Sequence, residues 1–200
     1  MKKSDLFWAS KAAEEENSGS SDDDTILIEK NRIYFYSEVY RTKILTLNKT
    51  LRKLDKELVN RSNTLDSPVP NIYLHIQSFG GSVFSAFSTI DYIRKSTAPV
   101  HSVVEGCAAS AATLMSVVAE KRYINEHSYM LIHQLSSGMW GKYEEQKDQM
   151  QNNDLIMSVI KDLYEKHTKI PKRKLREILK RDVWFDAETC LEYGLVDEII

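Results

Sequence analysis

The chain has 200 residues, of which 42% are hydrophobic and 28% are charged, and its formal net charge is −2. This length suits one domain with a substantial core, and the near-zero charge excludes a global attraction to nucleic acid or to anionic membranes. The two cysteines, Cys107 and Cys190, are far apart in the chain, so neither a disulfide framework nor a paired zinc motif is predicted.

The sequence has no feature that is typical of a membrane or exported protein. Its most apolar window, residues 107–119, contains three hydroxyl side chains and is too short to span a bilayer. Lys2 and Lys3 are not followed by the apolar segment of a signal peptide. We therefore predict a soluble protein of the cytoplasm.

The first 24 residues differ in composition from the rest. They are dominated by Ser, Glu, Asp and Lys and include the acidic runs 14–16 and 22–24. Such a segment cannot bury enough apolar surface to offset the entropy that it would lose on ordering. We predict a disordered acidic tail over residues 1–24 and an ordered domain over residues 25–200.

Strand and helix patterns alternate in the first part of this domain. Two units are alike, because each has an apolar strand, a turn of small residues and then a helix. In chain order, the predicted elements are strands at 25–28 and 32–36, a helix at 43–59, a polar loop at 61–70, a strand at 72–76, a helix at 82–95, a strand at 100–104, a helix that ends near 120, and strands at 121–124 and 129–133.

The second part of the domain is mostly helical by pattern. The predicted elements are a long polar helix at about 143–167, a helix from Pro171 to about 180, a strand at 183–185, a helix at 187–193 that ends at Gly194, and a strand at 195–200. Strands that alternate with helices of this length are typical of an α/β domain with a largely parallel sheet. Ligands of such a domain bind at the carboxyl ends of the strands.

Residues 105–112, Glu-Gly-Cys-Ala-Ala-Ser-Ala-Ala, place Ser110 among small residues between two apolar runs. As strand, tight turn and helix, this segment leaves Ser110 at the first turn of a helix, where free N–H groups and the helix dipole favour negative charge. Negative charge develops beside the nucleophile in acyl transfer. The alternative is a packing site for small side chains.

Three features stand at the ends of successive predicted strands: Gly80-Gly81, Ser110 and His133. A serine nucleophile needs a base, the base needs an orienting carboxylate, and the oxyanion needs two N–H donors. His133 follows the apolar strand Met130-Leu-Ile, so it is a candidate base at the same sheet edge as Ser110. A structural histidine is the alternative, and Cys107 is a weaker candidate nucleophile that is typical of a packing residue.

At this point the chain resembles a known family over about residues 25–200. The motifs that carry the resemblance are Ile72-Tyr-Leu-His-Ile-Gln-Ser-Phe-Gly-Gly81, Glu105-Gly-Cys-Ala-Ala-Ser110, Met130-Leu-Ile-His-Gln134, Arg181-Asp-Val-Trp-Phe-Asp-Ala-Glu188 and Glu192-Tyr-Gly-Leu-Val-Asp197. They resemble the proteolytic subunit of the Clp protease, the ClpP family of serine peptidases in the ClpP/crotonase superfold. One motif departs from the family, which usually has proline where this chain has Phe79.

The resemblance implies the roles of five residues and no metal or other cofactor. Ser110 is the implied nucleophile, His133 the general base and then acid, and Asp182 the carboxylate that orients the imidazole. The backbone N–H groups of Gly81 and Ala111 are the implied oxyanion hole. Asp186 is a rival for the carboxylate role, although its place before a predicted helix suits an N-cap.

The resemblance also implies an architecture and partners. The implied fold is α/β, a spiral of repeated β-β-α units with a protruding handle helix at about 136–167. The implied assembly is a homo-oligomer of two stacked seven-membered rings that hydrolyses unfolded polypeptides. Because the chain has no phosphate-binding loop, a separate AAA+ unfoldase, the Clp ATPase, is expected to supply ATP-dependent unfolding. The basic cluster at 172–181 is interrupted by acidic residues and indicates a solvated helix face, with no nucleic acid partner.

Three other functions stay open from the sequence. The first is a viral capsid maturation protease of the same family, and the second is a non-catalytic ring subunit. The third is an acyl-CoA enzyme of the crotonase type, which shares the superfold but does not need a set of Ser, His and Asp.

Overall fold

The computed structural model describes residues 26–200, so the predicted tail at 1–24 lies outside the described residues. The α/β class is confirmed. The elements are β1 (Ile26–Glu29), β2 (Arg32–Tyr36), α1 (Arg41–Leu65), β3 (Ile72–Ser78), α2 (Val83–Lys95), β4 (Val100–Ala109), α3 (Ala111–Val117), β5 (Lys121–Ile124), β6 (Tyr129–Leu131), α4 (Tyr143–His167), α5 (Lys172–Ile178), α6 (Ala187–Glu192) and β7 (Glu198–Ile199). Within the described part of the chain, no helix is both long and apolar enough to cross a bilayer.

The strands form one mixed sheet in the order β1-β2-β3-β4-β5-β7, and β6 pairs with the second half of β4. Strands β1 and β2 form an antiparallel hairpin, and the other pairings between the described strands are parallel. Parallel neighbours need crossover connections, which α2 and α3 provide. The carboxyl ends of β3, β4 and β6 therefore meet at one edge of the sheet.

The core lies between this sheet and the helices. Strands β2 and β3 pair Ile33 with Leu74 and Phe35 with Ile76, and all four side chains are fully buried. Apolar side chains of the helices join the same cluster; they are Leu47, Leu51, Ile90, Leu114, Met115, Ile160 and Leu163. Because β3 and β4 are covered by this core, their register and their carboxyl ends are closely defined.

Helix α1 is longer than the sequence pattern predicts. The predicted loop at 61–70 is wrong in its first half, since the helix continues to Leu65 and ends with Asp66 in the left-handed conformation, at φ 47°. Ser62 continues the buried face after Leu54 and Leu58, and its hydroxyl donates to the carbonyl of Ser67. A polar side chain therefore extends a helix face that an apolar pattern does not reveal.

Two serines fix α3 against β4. The hydroxyl of Ser102 donates to the backbone carbonyl of Ser116 over 3.0 Å, and the hydroxyl of Ser116 donates to that of Ser102 over 3.2 Å. Both residues are fully buried. Buried hydroxyl groups that are bonded in this way hold the helix at one position along the strand.

Arg122 on β5 joins the C-terminal end of the chain to the sheet. Its guanidinium is bidentate to Asp197, with one distance of 3.0 Å from Nε to Oδ2, and its Nη1 donates to the carbonyls of Gly194 and His167. Burial by itself raises the pKa of Asp197, but the hydrogen bonds and charge of Arg122 outweigh it and hold that pKa below the ordinary value. The pair therefore stabilises the fold while Asp197 is ionised.

We expect Arg122→Ala to lower the free energy of unfolding by about 2 kcal/mol, because several charge-assisted hydrogen bonds are lost at once. The contribution of Asp197 is present above its ordinary pKa and is lost as the pH falls below about 4, so the difference between the variants should shrink there. Urea denaturation at two pH values measures both effects.

The matched control is Lys121→Ala on the same strand, because Lys121 pairs with Glu198 at the surface. Exposed ion pairs contribute little to stability, so this change should have a much smaller effect. Equal losses for the two variants would contradict the role given to Arg122.

Candidate active site

Ser110 lies in a constrained turn between β4 and α3. Its φ of 52° and ψ of −123° are unusual for a residue with a side chain, and such a conformation costs about 1–3 kcal/mol. The surrounding structure holds it there, since the N–H of Ser110 donates to the carbonyl of Leu131 on β6 over 2.8 Å. The turn thus presents the Ser110 hydroxyl at the sheet edge.

The turn that contains Gly80 packs directly on the Ser110 turn. A Cβ on Gly80 would lie 2.7 Å from the carbonyl oxygen of Ala109 and 2.7 Å from the Cβ of Ser110, and the φ of Gly80 is +101°. Only glycine fits this approach without displacing backbone.

Gly81 and Ala111, whose backbone N–H groups the resemblance implies as the oxyanion donors, both lie at this junction. Val39 bonds the residues on either side of Gly81, since its N–H donates to Gly80 and its carbonyl accepts from Ser82. In such a parallel pairing the N–H of Gly81 is not used. The N–H of Ala111 is in the first turn of α3, where no intrahelical partner exists. Both Gly81 and Ala111 line the pocket beside Ser110.

His133 lies between Ser110 and Asp182. Its Nε2 is 2.7 Å from the Ser110 Oγ, and its Nδ1 is 3.1 Å from Oδ1 of Asp182. An ionised carboxylate only accepts hydrogen bonds, so Nδ1 carries the proton toward Asp182 and Nε2 is left to accept from the Ser110 hydroxyl.

Backbone pairing between distant segments brings His133 and Asp182 together. Met130 and Phe185 exchange two backbone hydrogen bonds, and the N–H of Gln134 donates to the carbonyl of Leu179. These bonds hold the segment before α6 alongside β6 and the residues that follow it. The carboxylate of Asp182 is therefore positioned by tertiary contacts, although 48 residues of chain separate it from His133.

Asp186, the rival carboxylate, is engaged elsewhere. It is the N-cap of α6, and its Oδ1 accepts from the N–H of Thr189 over 2.9 Å. Hydrogen bonds from the side chain and from the backbone N–H of Thr189 lower the pKa of the Asp186 carboxyl. The structure brings Asp182, and not Asp186, to His133.

Other chemistry at this edge finds less support. Burial raises the pKa of the Cys107 thiol to about 11, so Cys107 stays protonated near neutral pH and is a poor nucleophile. Among residues 26–200 there is no cluster of His, Cys, Asp and Glu that could hold a metal ion.

A pocket of about 320 Å³ opens beside the Ser110 hydroxyl. Its apolar lining residues include Leu114, Ile156 and Ile160, and its polar lining residues include Gln149 and Asn153. Four of these five residues belong to α4, for which the family resemblance implies only a role in assembly. The role of α4 in lining the pocket is indicated in the sequence by the apolar residues clustered in its second half.

Comparison with known proteins gives the family of this chain. The family model described as Clp protease matches residues 27–200. The chain belongs to the Clp protease family.

Curated relatives in the Clp protease family cover most of the chain. The chain is 28% identical to the ATP-dependent Clp protease proteolytic subunit of Deinococcus radiodurans over 170 residues, which is 82% of this chain and 83% of that protein. It is 29% identical to proteolytic subunit 2 of the same protease from Treponema denticola over 161 residues (78% and 80%) and from Treponema pallidum over 177 residues (86% and 89%).

Phe79 occupies the position where the Clp protease family usually has proline. Its ring packs edge-to-face on Trp184, with centroids 6.4 Å apart, and its N–H donates to a carboxylate oxygen of Glu38 over 3.3 Å. Trp184 is two residues from Asp182. Phe79 therefore joins the Gly80 turn to the segment that carries Asp182, in place of the rigidity that proline gives a turn.

We expect Gly80→Ala to lower the reaction rate of Ser110 with a fluorophosphonate probe by about 100-fold, because the added Cβ displaces the Ser110 turn and misaligns the hydroxyl. Mass spectrometry of the labelled chain over time gives the rate. Gly138→Ala is the matched control, since a Cβ on Gly138 meets nothing within 4 Å. A Gly80→Ala chain that reacts at the wild-type rate would show that the turn tolerates the side chain.

Proposed function

We propose that this chain is a serine endopeptidase, the proteolytic subunit of a Clp-type protease. The observation that carries the proposal is the hydrogen-bonded series from Ser110 through His133 to Asp182, beside a pocket that Gly81 and Ala111 also line. Membership in the Clp protease family supports it independently.

In the proposed mechanism, the Ser110 Oγ attacks the carbonyl carbon of the scissile peptide bond while His133 Nε2 takes the hydroxyl proton. The oxygen of the tetrahedral intermediate becomes negative. When the C–N bond breaks, His133 returns the proton to the leaving amine, and an ester of Ser110 remains. Water then attacks this ester with His133 again as base, which releases the carboxylic acid and restores the serine.

Asp182 and the backbone donors have supporting roles in this mechanism. The carboxylate of Asp182 holds the imidazole with its proton on Nδ1 and stabilises the imidazolium that forms. The N–H groups of Gly81 and Ala111 donate to the oxyanion in both tetrahedral intermediates. Fixed donors of this kind contribute most where they need no reorganisation, and the packing of the Gly80 turn on the Ser110 turn supports such rigidity.

The proposed substrates are unfolded polypeptides. The three relatives are named ATP-dependent proteases, whereas this chain has no phosphate-binding loop. Unfolding a stable domain requires about 5–15 kcal/mol. A separate AAA+ unfoldase, the Clp ATPase, is therefore the proposed partner for folded substrates, and a cytoplasmic location, where both proteins meet, belongs to the proposal.

The proposed assembly is a homo-oligomer of two stacked seven-membered rings joined through the handle, residues 136–167. The first half of α4 and the segment before it expose apolar side chains to solvent in the single chain. The most exposed are Trp140, Tyr143, Met150 and Leu155, and Trp140 is 99% exposed. Apolar side chains that are grouped in this way are typical of contact surfaces between proteins.

We expect Ser110→Ala to reduce hydrolysis of a short fluorogenic peptide by about 10⁴- to 10⁶-fold, and Asp182→Asn to reduce it by about 10⁴-fold because the imidazole loses its orienting acceptor. Asp186→Asn is the matched control, since asparagine also caps helices. Steady-state kinetics on particles of verified size measures the three changes.

The outcomes separate the competing functions. Ser110→Ala at wild-type activity would contradict the nucleophile, and a more damaging Asp186→Asn would contradict the chosen carboxylate. A wild-type particle of the expected size without any turnover would favour a non-catalytic ring subunit.

We expect the pair of changes Trp140→Glu and Leu155→Glu to divide the particle into single rings, because each places a charge where an apolar contact is proposed. Sedimentation velocity measures the mass. The control is Leu45→Glu, which changes a comparably exposed leucine on α1 outside the handle. A particle of unchanged mass would contradict the contact role of the handle.

A further inference from the structure

Two hydroxyl groups that the proposed mechanism does not use form a chain to the Ser110 backbone. The Thr113 Oγ1 is 2.6 Å from the carbonyl oxygen of Ser110 and 2.6 Å from the Tyr164 hydroxyl. Thr113 lies in α3, and Tyr164 lies near the end of α4. A side chain of the long helix is thus connected through one threonine to the residue that is the proposed nucleophile.

The direction of both hydrogen bonds follows from the donors available. The Ser110 carbonyl oxygen can only accept, so the single hydroxyl proton of Thr113 points to it. Tyr164 must then donate to the Thr113 oxygen. The order is therefore Tyr164 O–H to Thr113 Oγ1, and Thr113 O–H to the Ser110 carbonyl.

Both hydroxyl groups are deeply buried. Thr113 is fully buried and Tyr164 is 1% exposed, and among residues 26–200 Thr113 is the hydrogen-bond partner of the Tyr164 hydroxyl. Burial raises the pKa of the Tyr164 phenol far above its usual range, so it is protonated near neutral pH. A buried hydroxyl without a partner is costly, so the arrangement is strongly specified.

The carbonyl that accepts from Thr113 belongs to the same peptide group as the N–H of Ala111. A trans peptide is planar, and its C=O and N–H point in opposite directions. Fixing the oxygen therefore fixes the direction of the Ala111 N–H. A hydrogen bond accepted at the oxygen also polarises the group and makes its N–H a stronger donor, since hydrogen-bonded chains reinforce one another.

This peptide needs such support because it follows a residue in a strained conformation. Ser110 has a φ of 52°, and relaxation of this strain would rotate the peptide between Ser110 and Ala111. The N–H of Thr113 also bonds the same carbonyl, at 3.1 Å, but this longer bond is common to helix starts. The side-chain series from Tyr164 is the additional restraint in this chain.

We propose that Tyr164 and Thr113 are positioning residues, which orient the peptide group carrying the Ala111 N–H so that it donates to the oxyanion. The proposal rests on the proposed peptidase function and adds to it a link between α4 and the oxyanion hole. Because Tyr164 also lines the pocket that contains Ser110, contacts made by α4 are transmitted to the donor through two hydroxyl groups.

The test uses the assembled protein and four variants. We expect Tyr164→Phe to lower kcat for a short fluorogenic peptide by about 10-fold, the value of one typical hydrogen bond, with KM unchanged. Thr113→Val should lower kcat further, and Thr113→Ser should restore most of it. The double variant Tyr164→Phe with Thr113→Val should be no slower than Thr113→Val alone, because Tyr164 acts through Thr113.

A second measurement separates positioning from packing. A peptide aldehyde forms a hemiacetal with Ser110 and places its oxygen in the oxyanion hole, so its inhibition constant should rise in parallel with the loss of kcat/KM. The matching peptide alcohol forms no such adduct, and its binding should not change. Tyr193→Phe, which removes a hydroxyl from a half-buried tyrosine outside the pocket, is the control for kcat, melting temperature and particle size.

Each result decides the proposal. If Tyr164→Phe leaves kcat and aldehyde affinity unchanged, the positioning role is wrong. Fully additive losses in the double variant would also overturn it. In both cases Ser110→Ala still abolishes turnover, so the proposed peptidase function would stand. Equal losses for aldehyde and alcohol would assign Tyr164 to packing and overturn it as well. A wild-type chain that neither hydrolyses the peptide nor binds the aldehyde would overturn the proposed function itself, and the positioning role with it.

Discussion

The contact between two turns determines the arrangement of the site. The backbone at Gly80 lies against the carbonyl of Ala109 and the Cβ of Ser110, so closely that a Cβ on Gly80 could not be added without a shift. This approach is possible because β3 and β4 are parallel neighbours that end at the same edge. The buried pairing of the two strands sets the height of both turns, and the turns then set the distances between the hydroxyl, the imidazole and the backbone N–H groups.

The rest of the molecule supports that contact from three sides. The carbonyl of Leu131 on β6 accepts from the Ser110 N–H. The backbone of Val39 bonds to Gly80 and Ser82, the residues on either side of Gly81. The hydroxyl of Ser102 holds α3 in place along β4. Each is a hydrogen bond from an element that has its own place in the core. The strain in the Ser110 turn is tolerated because it is surrounded by elements whose positions are determined independently.

Helix α4 contributes to the interior and to the surface at once. Its second half carries pocket residues such as Ile160 and the buried Tyr164, whereas its first half exposes apolar side chains such as Met150. A rigid helix transmits a displacement along its whole length. Helix α4 therefore connects an exposed apolar surface to the elements that surround the Ser110 turn.

Local pattern was sufficient for the α/β class, for the long helix at 143–167 and for the sheet edge at which Gly80, Ser110 and His133 meet, because apolar periodicity and small-residue turns are encoded by neighbours in the chain. It failed at 61–65, where a buried serine extends α1, and it did not reveal Thr113 or Tyr164, whose hydroxyl groups look like ordinary helix residues. The choice between Asp182 and Asp186 as neighbour of His133 also depends on pairing between Met130 and Phe185. Side chains separated by about 50 residues come together only when the core packs, so tertiary structure decided these contacts and sequence pattern could not.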